Sequence, residues 1–446
     1  MNLDRRRAVP LWLLGVFTFS GPVGMHIFVP ALPAAAEDLH ATQAALELTI
    51  SLYILGLAVG QLVYGPASDR FGRRPALLVG LSIFTIASIA ALFAPDIHTL
   101  VLARFFQAVG GCSGLVLARA IIRDTSQAHE AARRLALTNL LVTAGPAVAP
   151  LIGSALSAFW GWRTILAGLA ALGVANFVLA WRMLPETRPE ALFVSASRYA
   201  RDYAGLLRSR QFLGYSVGGA CATTSLYAFI ACAPFIFIDR LHVPSASVGL
   251  YLALLVSGIW LGSLLASQLI SRFSLTRFVV VANAVSVVAA AAFLGFVIAD
   301  RATLVAIVGT MFVFSVGVGA AAPAALVKAI SVNPRVTGTA SGLYGSVQMA
   351  VAGALVMLAG WGANPAFASA SVLLAAGLVA QASFWIAGKR SAAVATPESE
   401  AASKAGTDGL KRRVLRAGRG SRSGERLPWW GAPAREALWP PFWSWC

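Results

Sequence analysis

Three ionisable side chains, His26, Glu47 and Arg104, sit within long apolar stretches of the sequence. A charge at membrane depth is costly unless it is paired or meets water, so such a residue is a functional candidate by default. An imidazole changes charge near pH of about 6.5 and can carry a proton across the physiological range. A carboxylate in the membrane can do the same. A guanidinium cannot realistically lose its proton, so Arg104 would bias a neighbour's titration or hold an anionic group. Its plainer role is to donate to backbone carbonyls. His26 and Glu47 are expected to form one proton site with Arg104 close by. The alternative makes His26 a hydrogen-bonded packing residue and lets Glu47 face external water.

Other chemistries fail on context. Gly214-Tyr215-Ser216-Val217-Gly218 fits the elbow of serine hydrolases, but that elbow needs a strand before it and a helix after it. Here it opens an apolar run, where small residues serve close helix packing. His129-Glu130 lacks the second histidine of a zinc-protease motif, and no phosphate-binding loop for ATP is present. Cys112, Cys221, Cys232 and Cys446 show no paired spacing, and three of them lie in apolar runs, where a free cysteine packs as a small residue. The sequence implies no enzyme, no metal and no cofactor.

The most specific stretch is residues 60–75, GQLVYGPASDRFGRRP. Asp69, Arg70, Arg73 and Arg74 crowd a short turn with Gly65, Pro66 and Gly72, and a new apolar run opens at Ala76. Charges that dense leave the hydrocarbon, so the turn is a tight hairpin between two membrane helices. Its excess of arginine marks the cytoplasmic face.

The elements that must position these residues are membrane spans. Of 446 residues, 58% are hydrophobic and 12% charged, against roughly a quarter charged in soluble domains. The net charge of +17 lies in short connections and the tail, which speaks for orientation and anionic lipid rather than nucleic acid. The first apolar run, from Pro10 to Pro33 behind Arg5-Arg6-Arg7, is longer than the ~7–15 residues of a signal peptide and is read as a retained span. Later spans fall near 45–66, 75–94, 98–118, 135–158, 163–183, 212–238, 248–270, 277–298, 303–326, 338–361 and 365–388, at the ~20 residues each crossing needs. That makes twelve, an all-α integral membrane fold. The basic connections alternate so that both termini are expected in the cytoplasm.

Gly56, Gly60, Arg70 and Phe71 recur as Gly258, Gly262, Arg272 and Phe273, and Leu39-His40 recurs as Leu241-His242 (258 − 56 = 202; 241 − 39 = 202). One constant offset argues for two six-helix pseudo-repeats of like orientation. The expected division is a bundle over 1–185, a cytoplasmic linker over 186–211 with an amphipathic helix around Tyr203 to Leu207, a second bundle over 212–388 and a basic tail over 389–446. The tail reads as disordered; its late tryptophans alternatively suit the inner leaflet.

Several motifs carry a family resemblance. Residues 60–75 resemble the loop 2–3 signature of the major facilitator superfamily. His26 to Pro33 resembles the opening of the bicyclomycin and chloramphenicol exporters in its drug/proton antiporter branch. Leu100, Arg104, Gln107 and Gly110 are similar to that branch's membrane-arginine motif, Gly145-Pro146 with Pro150 and Gly153 to its antiporter helix, and Thr337-Gly338-Thr339-Ala340-Ser341 is familiar from it.

The resemblance covers 10–388. It implies secondary active efflux of small amphipathic, drug-like compounds by alternating access, coupled to protons, by a monomer in the bacterial inner membrane. It implies a cytoplasmic gate of Gly65, Asp69, Arg70, Gly72, Arg73, Arg123 and Asp124. There Arg73 pairs with Asp124, and Asp69 lies against the start of span 11. Both contacts should break when the inner mouth opens. It also implies a cavity lined by spans 1, 4, 7 and 10, with Tyr227 and Phe229 as apolar contacts. The departure is His26, where those exporters place an acid; it supports the alternative of a non-transporting sensor or partner-binding protein on the same fold.

Overall fold

In hydrocarbon a backbone must satisfy its own polar groups, so each long apolar run closes into a helix. The computed structural model describes residues 9–126, 128–187, 196–270, 272–332, 337–361 and 364–394. The first rod is α1 (Leu11–His26), a 3-10 turn (Val29–Ala31) and α2 (Leu32–Asp38). Five rods follow: α3 (Gln43–Phe71), α4 (Arg73–Leu92), α5 (Ile97–Thr125), α6 (Ala128–Trp160) and α7 (Arg163–Met183). The surface helix α8 (Ala196–Arg208) comes next, then the seventh rod, α9 (Arg210–Thr224) running into α10 (Leu226–Phe235) and a π turn (Ile236–Arg240). The last five are α11 (Ser245–Leu269), α12 (Leu275–Ile298), α13 (Leu304–Ile330), α14 (Thr337–Gly360) and α15 (Pro365–Val394). Eleven of these rods are long and apolar enough to cross a membrane. The twelfth, α6, is 33 residues long.

The helices outrun the apolar runs that announced them, because polar residues start and stop them beyond the hydrocarbon. Thr42 caps α3 by accepting from Ala45 N at 3.3 Å, and Asp96 caps α5 by accepting from Thr99 N at 2.8 Å; each satisfies a donor that a helix start leaves free. That backbone bond holds the Asp96 carboxyl below its ordinary pKa.

Residues Met1–Arg390 pack as one unit. What the sequence said of the tail beyond 394 lies outside the described residues. Large apolar side chains such as Ile86, Leu102, Val288 and Val305 point outward and are exposed, as a lipid-facing rim requires. Trp12, Trp160, Trp181 and Trp361 are exposed at helix ends, where an interfacial belt belongs, and exposed Trp385 lies near the end of the apolar part of α15. Trp162 departs from that belt: it is buried, edge-on to Phe28.

The repeat is visible in backbone geometry. His40 and His242 both adopt left-handed φ, 47° and 54°, uncommon for residues other than glycine. A Cβ at Gly56 would meet the Phe105 carbonyl and Ala108 of α5, and one at Gly258 would meet the Phe312 carbonyl and Ser315 of α13. The pair α3/α5 and its counterpart α11/α13 therefore pack backbone to backbone at equivalent points. Asp38 pairs with Arg163, while Arg240, at the same offset (240 − 38 = 202), reaches Asp300 at 3.1 Å and Asn364 at 3.4 Å.

The amphipathic helix is longer than the sequence suggested. Within α8, Leu206 is buried and Leu207 exposed. Burial and the neighbouring Asp69 carboxylate push the Tyr203 phenol above its ordinary pKa.

Candidate functional site

The hairpin between α3 and α4 gathers the charges that the motif places there, with Arg73 at the centre. Arg73 Nε donates to Asp124 Oδ2 at 2.8 Å, and Nη1 donates to Ser68 Oγ at 2.6 Å and to Asp69 one turn back. The expected Arg73–Asp124 pair is therefore present, and it is buried, with Arg73 5% exposed. Arg123, also expected in the gate, is exposed and among the described residues makes no hydrogen bond or ion pair. Arg70 is exposed and lies over the Phe71 ring at 5.2 Å. Gly65 offers its carbonyl to Ser68 Oγ at 2.9 Å. The contact expected between Asp69 and the start of span 11 falls beside residues 333–336, outside the described residues.

Motif reading missed Glu186. Its carboxylate accepts from Arg73 N at 2.9 Å and Arg74 N at 3.2 Å, the first two backbone donors of α4. An anion at a helix N-terminus satisfies free donors and meets the positive end of the helix dipole. Gly72 makes this possible twice over. Its φ of 105° suits glycine, and a Cβ there would run into the Glu186 carboxylate. The available signal was an acid immediately after the sixth span, in the triplet Pro185-Glu186-Thr187.

The membrane-embedded candidates do not form one site. His26, 3% exposed, ends α1 with its ring 5.8 Å from that of Tyr227. Glu47, 1% exposed, accepts from Gln43 Nε2 at 2.6 Å and lies beside the Cys232 thiol. Its Oε2 has no hydrogen-bond partner. Arg104 is fully buried, with its guanidinium 4.2 Å from the Tyr53 ring and 4.9 Å from the Phe28 ring. Its Nη1 donates to Gln107 Oε1 at 2.5 Å, and Gln107 donates to Ser88 Oγ at 2.7 Å. The shared proton site expected for His26, Glu47 and Arg104 is thus not assembled here. The reason is helical phase. Tyr53 follows Glu47 by six residues (53 − 47 = 6), a rotation of roughly 240° at 3.6 residues per turn. Tyr53 therefore faces α1 and Arg104, whereas Glu47 faces α10 and α14.

Glu47 belongs instead to a seam between the two repeats. A Cβ at Gly360 would strike the Glu47 carboxylate, one at Gly353 would crowd the Ser51 carbonyl, and one at Gly345 would strike Gln61. Ser346 Oγ donates to the Ala58 carbonyl at 3.0 Å. Across the molecule, Gly249 N donates to Ser154 Oγ at 2.8 Å beside the Pro150 carbonyl. The antiporter-motif helix α6 also meets α1, with Gly153 against the Ile27 carbonyl and Gly145 against Phe19 and Pro22. Pro146 is half-buried one residue on. Toward the basic end, by contrast, Cβ atoms at Gly65 and Gly342 would meet nothing within 4 Å. The two repeats are thus in contact at the far end through Gly360, Gly353 and Gly249. Arg73, Asp69 and Asp124 all belong to one repeat, on α3, α4 and α5.

Tyr227 is half-buried. Phe229 is corrected: it is fully buried, edge-on to Phe237 and Phe293 at 6.3 and 5.6 Å. Two residues along a helix turn it through about 200°, so Tyr227 and Phe229 cannot face one cavity. Beside Tyr227, Gln348 Nε2 donates to Thr223 Oγ1 at 2.8 Å and Tyr344 OH at 3.3 Å.

A sequence model of the family described as Major Facilitator Superfamily matches residues 13–357. Multidrug resistance protein D of Escherichia coli is 32% identical over 275 residues, covering 61% of this chain and 69% of that protein. A bicyclomycin resistance protein homolog of Haemophilus influenzae is 24% identical over 354 residues, covering 79% and 88% respectively. Among solved structures, a bacterial homologue of the human lysosomal transporter Spinster, inward-facing and unoccupied, matches with a TM-score of 0.68 at 17% identity. It covers 85% of this chain and 96% of that one.

Proposed function

The chain belongs to the Major Facilitator Superfamily, as a multi-pass membrane transporter, and from that premise we propose that it exports small amphipathic compounds by proton-coupled alternating access. On this reading the two repeats, 1–185 and 212–388, rock about the seam in a bacterial inner membrane, with the basic end and both termini cytoplasmic. The names of the related multidrug and bicyclomycin resistance proteins support export as the direction.

One observation carries the coupling. Glu47 is buried where the repeats meet, with one carboxylate oxygen unpartnered. A charged carboxylate is costly in such a place, while a neutral one is tolerated. Opening the far end separates α3 from α10 and α14 and brings water to the group, so a proton is exchanged once per cycle. His26 touches Tyr227 rather than Glu47 and acts in closing the mouth.

The test uses purified protein in vesicles with an imposed pH gradient and a panel of labelled drugs. Wild type should accumulate at least one compound against its gradient. Glu47→Gln should lose that accumulation while still exchanging substrate downhill. Gradient-following accumulation by Glu47→Gln would remove Glu47 from coupling, and no movement of any compound by wild type would sink the exporter reading.

A further inference from the structure

Three cations on α5, Arg104, Arg119 and Arg123, stand without an acid among the described residues, and Arg123 sits in the last turn of the helix. Arg104 is fully buried, and its Nε and Nη2 have no hydrogen-bond partner. Arg119 is exposed and, among the described residues, makes no hydrogen bond or ion pair. The two are fifteen residues apart (119 − 104 = 15), which on a helix is roughly 22 Å of rise and a net turn of about 60°. Both therefore leave the same side of α5, the side turned away from lipid-facing Leu102 and Phe106. Neighbouring stretches of that side pack on α1 and α3, through Gly114 against Phe17 and Ala108 against Gly56. An arginine that is exposed on that side is reachable from water. The acids that could neutralise the pair are already engaged: Asp69 and Asp124 are held by Arg73, and Glu47 faces α10 and α14.

We infer that the compound carried is an amphipathic anion, whose carboxylate or sulfonate is met first by exposed Arg119 and taken up by the free donors of Arg104. A guanidinium offers parallel donors that match such a group, and charge-assisted bonds of this kind are the strong ones. An organic cation on the same route would pass two uncompensated positive charges at low dielectric. The apolar part has aromatic surface to rest on at Tyr53 and Phe28, which already flank Arg104. This inference rests on the exporter reading and fixes its substrate class. A free halide shares the same charge and is the rival source.

Three dansyl probes of one skeleton separate the cases: dansylglycine as anion, dansylamide as neutral compound and dansylcadaverine as cation. Their fluorescence is titrated against purified protein, so binding is read without transport. Dansylglycine should bind about tenfold or more tighter than dansylcadaverine. Arg119→Gln and Arg104→Gln should each weaken dansylglycine by a similar factor and leave dansylamide unchanged, which also shows that the variants are folded. Arg104→Lys should recover part of the loss.

Tighter binding of the cation, or dansylglycine binding indifferent to both substitutions, would overturn the anion assignment while leaving the exporter reading in place. Displacement of dansylglycine by chloride with gluconate inert, at matched ionic strength, would overturn it in favour of a free-halide site. Failure of all three probes to bind would overturn this inference, while the exporter reading stands or falls on the vesicle panel.

Discussion

Arg73 and its neighbours show how burial sorts residues that a motif lists side by side. Asp124 and Arg123 are adjacent in sequence, yet one meets the buried guanidinium and the other points to water. Removing one partner of a buried pair strands the other charge, whereas an exposed residue without partners contributes little. Asp124→Asn should therefore lower stability by roughly 2 kcal/mol or more. Arg123→Gln should stay within about 0.5 kcal/mol of wild type. Thermal unfolding in detergent reads both, and equal effects would mean the pair is not buried in the purified protein. The Arg73–Asp124 pair was legible through the family resemblance of residues 60–75, which the signs of the two residues permit. The scattering of His26, Glu47 and Arg104 was not, because span counting gives depth along a helix but not which neighbour it faces.

At the scale of elements, the start of α4 depends on a residue more than a hundred positions away. Glu186 supplies the anion, and Gly72 supplies both the backbone angle and the space for it. Gly72→Ala and Glu186→Gln should thus each loosen the same helix end. Their double variant should be less harmful than the sum of the singles, by a coupling of about 0.5–3 kcal/mol. Additive losses in thermal unfolding would show that the two act apart. The spans themselves were legible from apolar length, since a bilayer leaves the backbone no other option. Their ends were not, because Thr42 and Asp96 carry their helices past the hydrocarbon. The full reach of α8 was hidden for a related reason: a surface helix is written in charge and periodicity rather than in an apolar run.

For the whole molecule, the seam between the repeats decides what can move. Ser51 and Gly353 face each other across it, so the paired change Ser51→Cys with Gly353→Cys should, after oxidation, hold the far end closed and stop vesicle transport, with reduction restoring it. Undiminished transport by the cross-linked protein would place the moving boundary elsewhere. The two-repeat plan was legible from the offset alone, and His40 and His242 bear it out in backbone angle. Which helices meet across the seam was beyond reach, because span counting does not say which faces of the two repeats touch. Within each repeat, α3 lies on α5 and α11 on α13 with glycine between, carbonyl against backbone. Such a contact has no long side chains to reshuffle, so a rod cannot slide along its partner without breaking the fit. On the exporter reading, each repeat would then behave as a lever rather than a hinge. A lever has one degree of freedom, and widening at one tip is narrowing at the other. Protection against a continuous leak would then come from stiffness distributed along four helices, not from any gatekeeping residue.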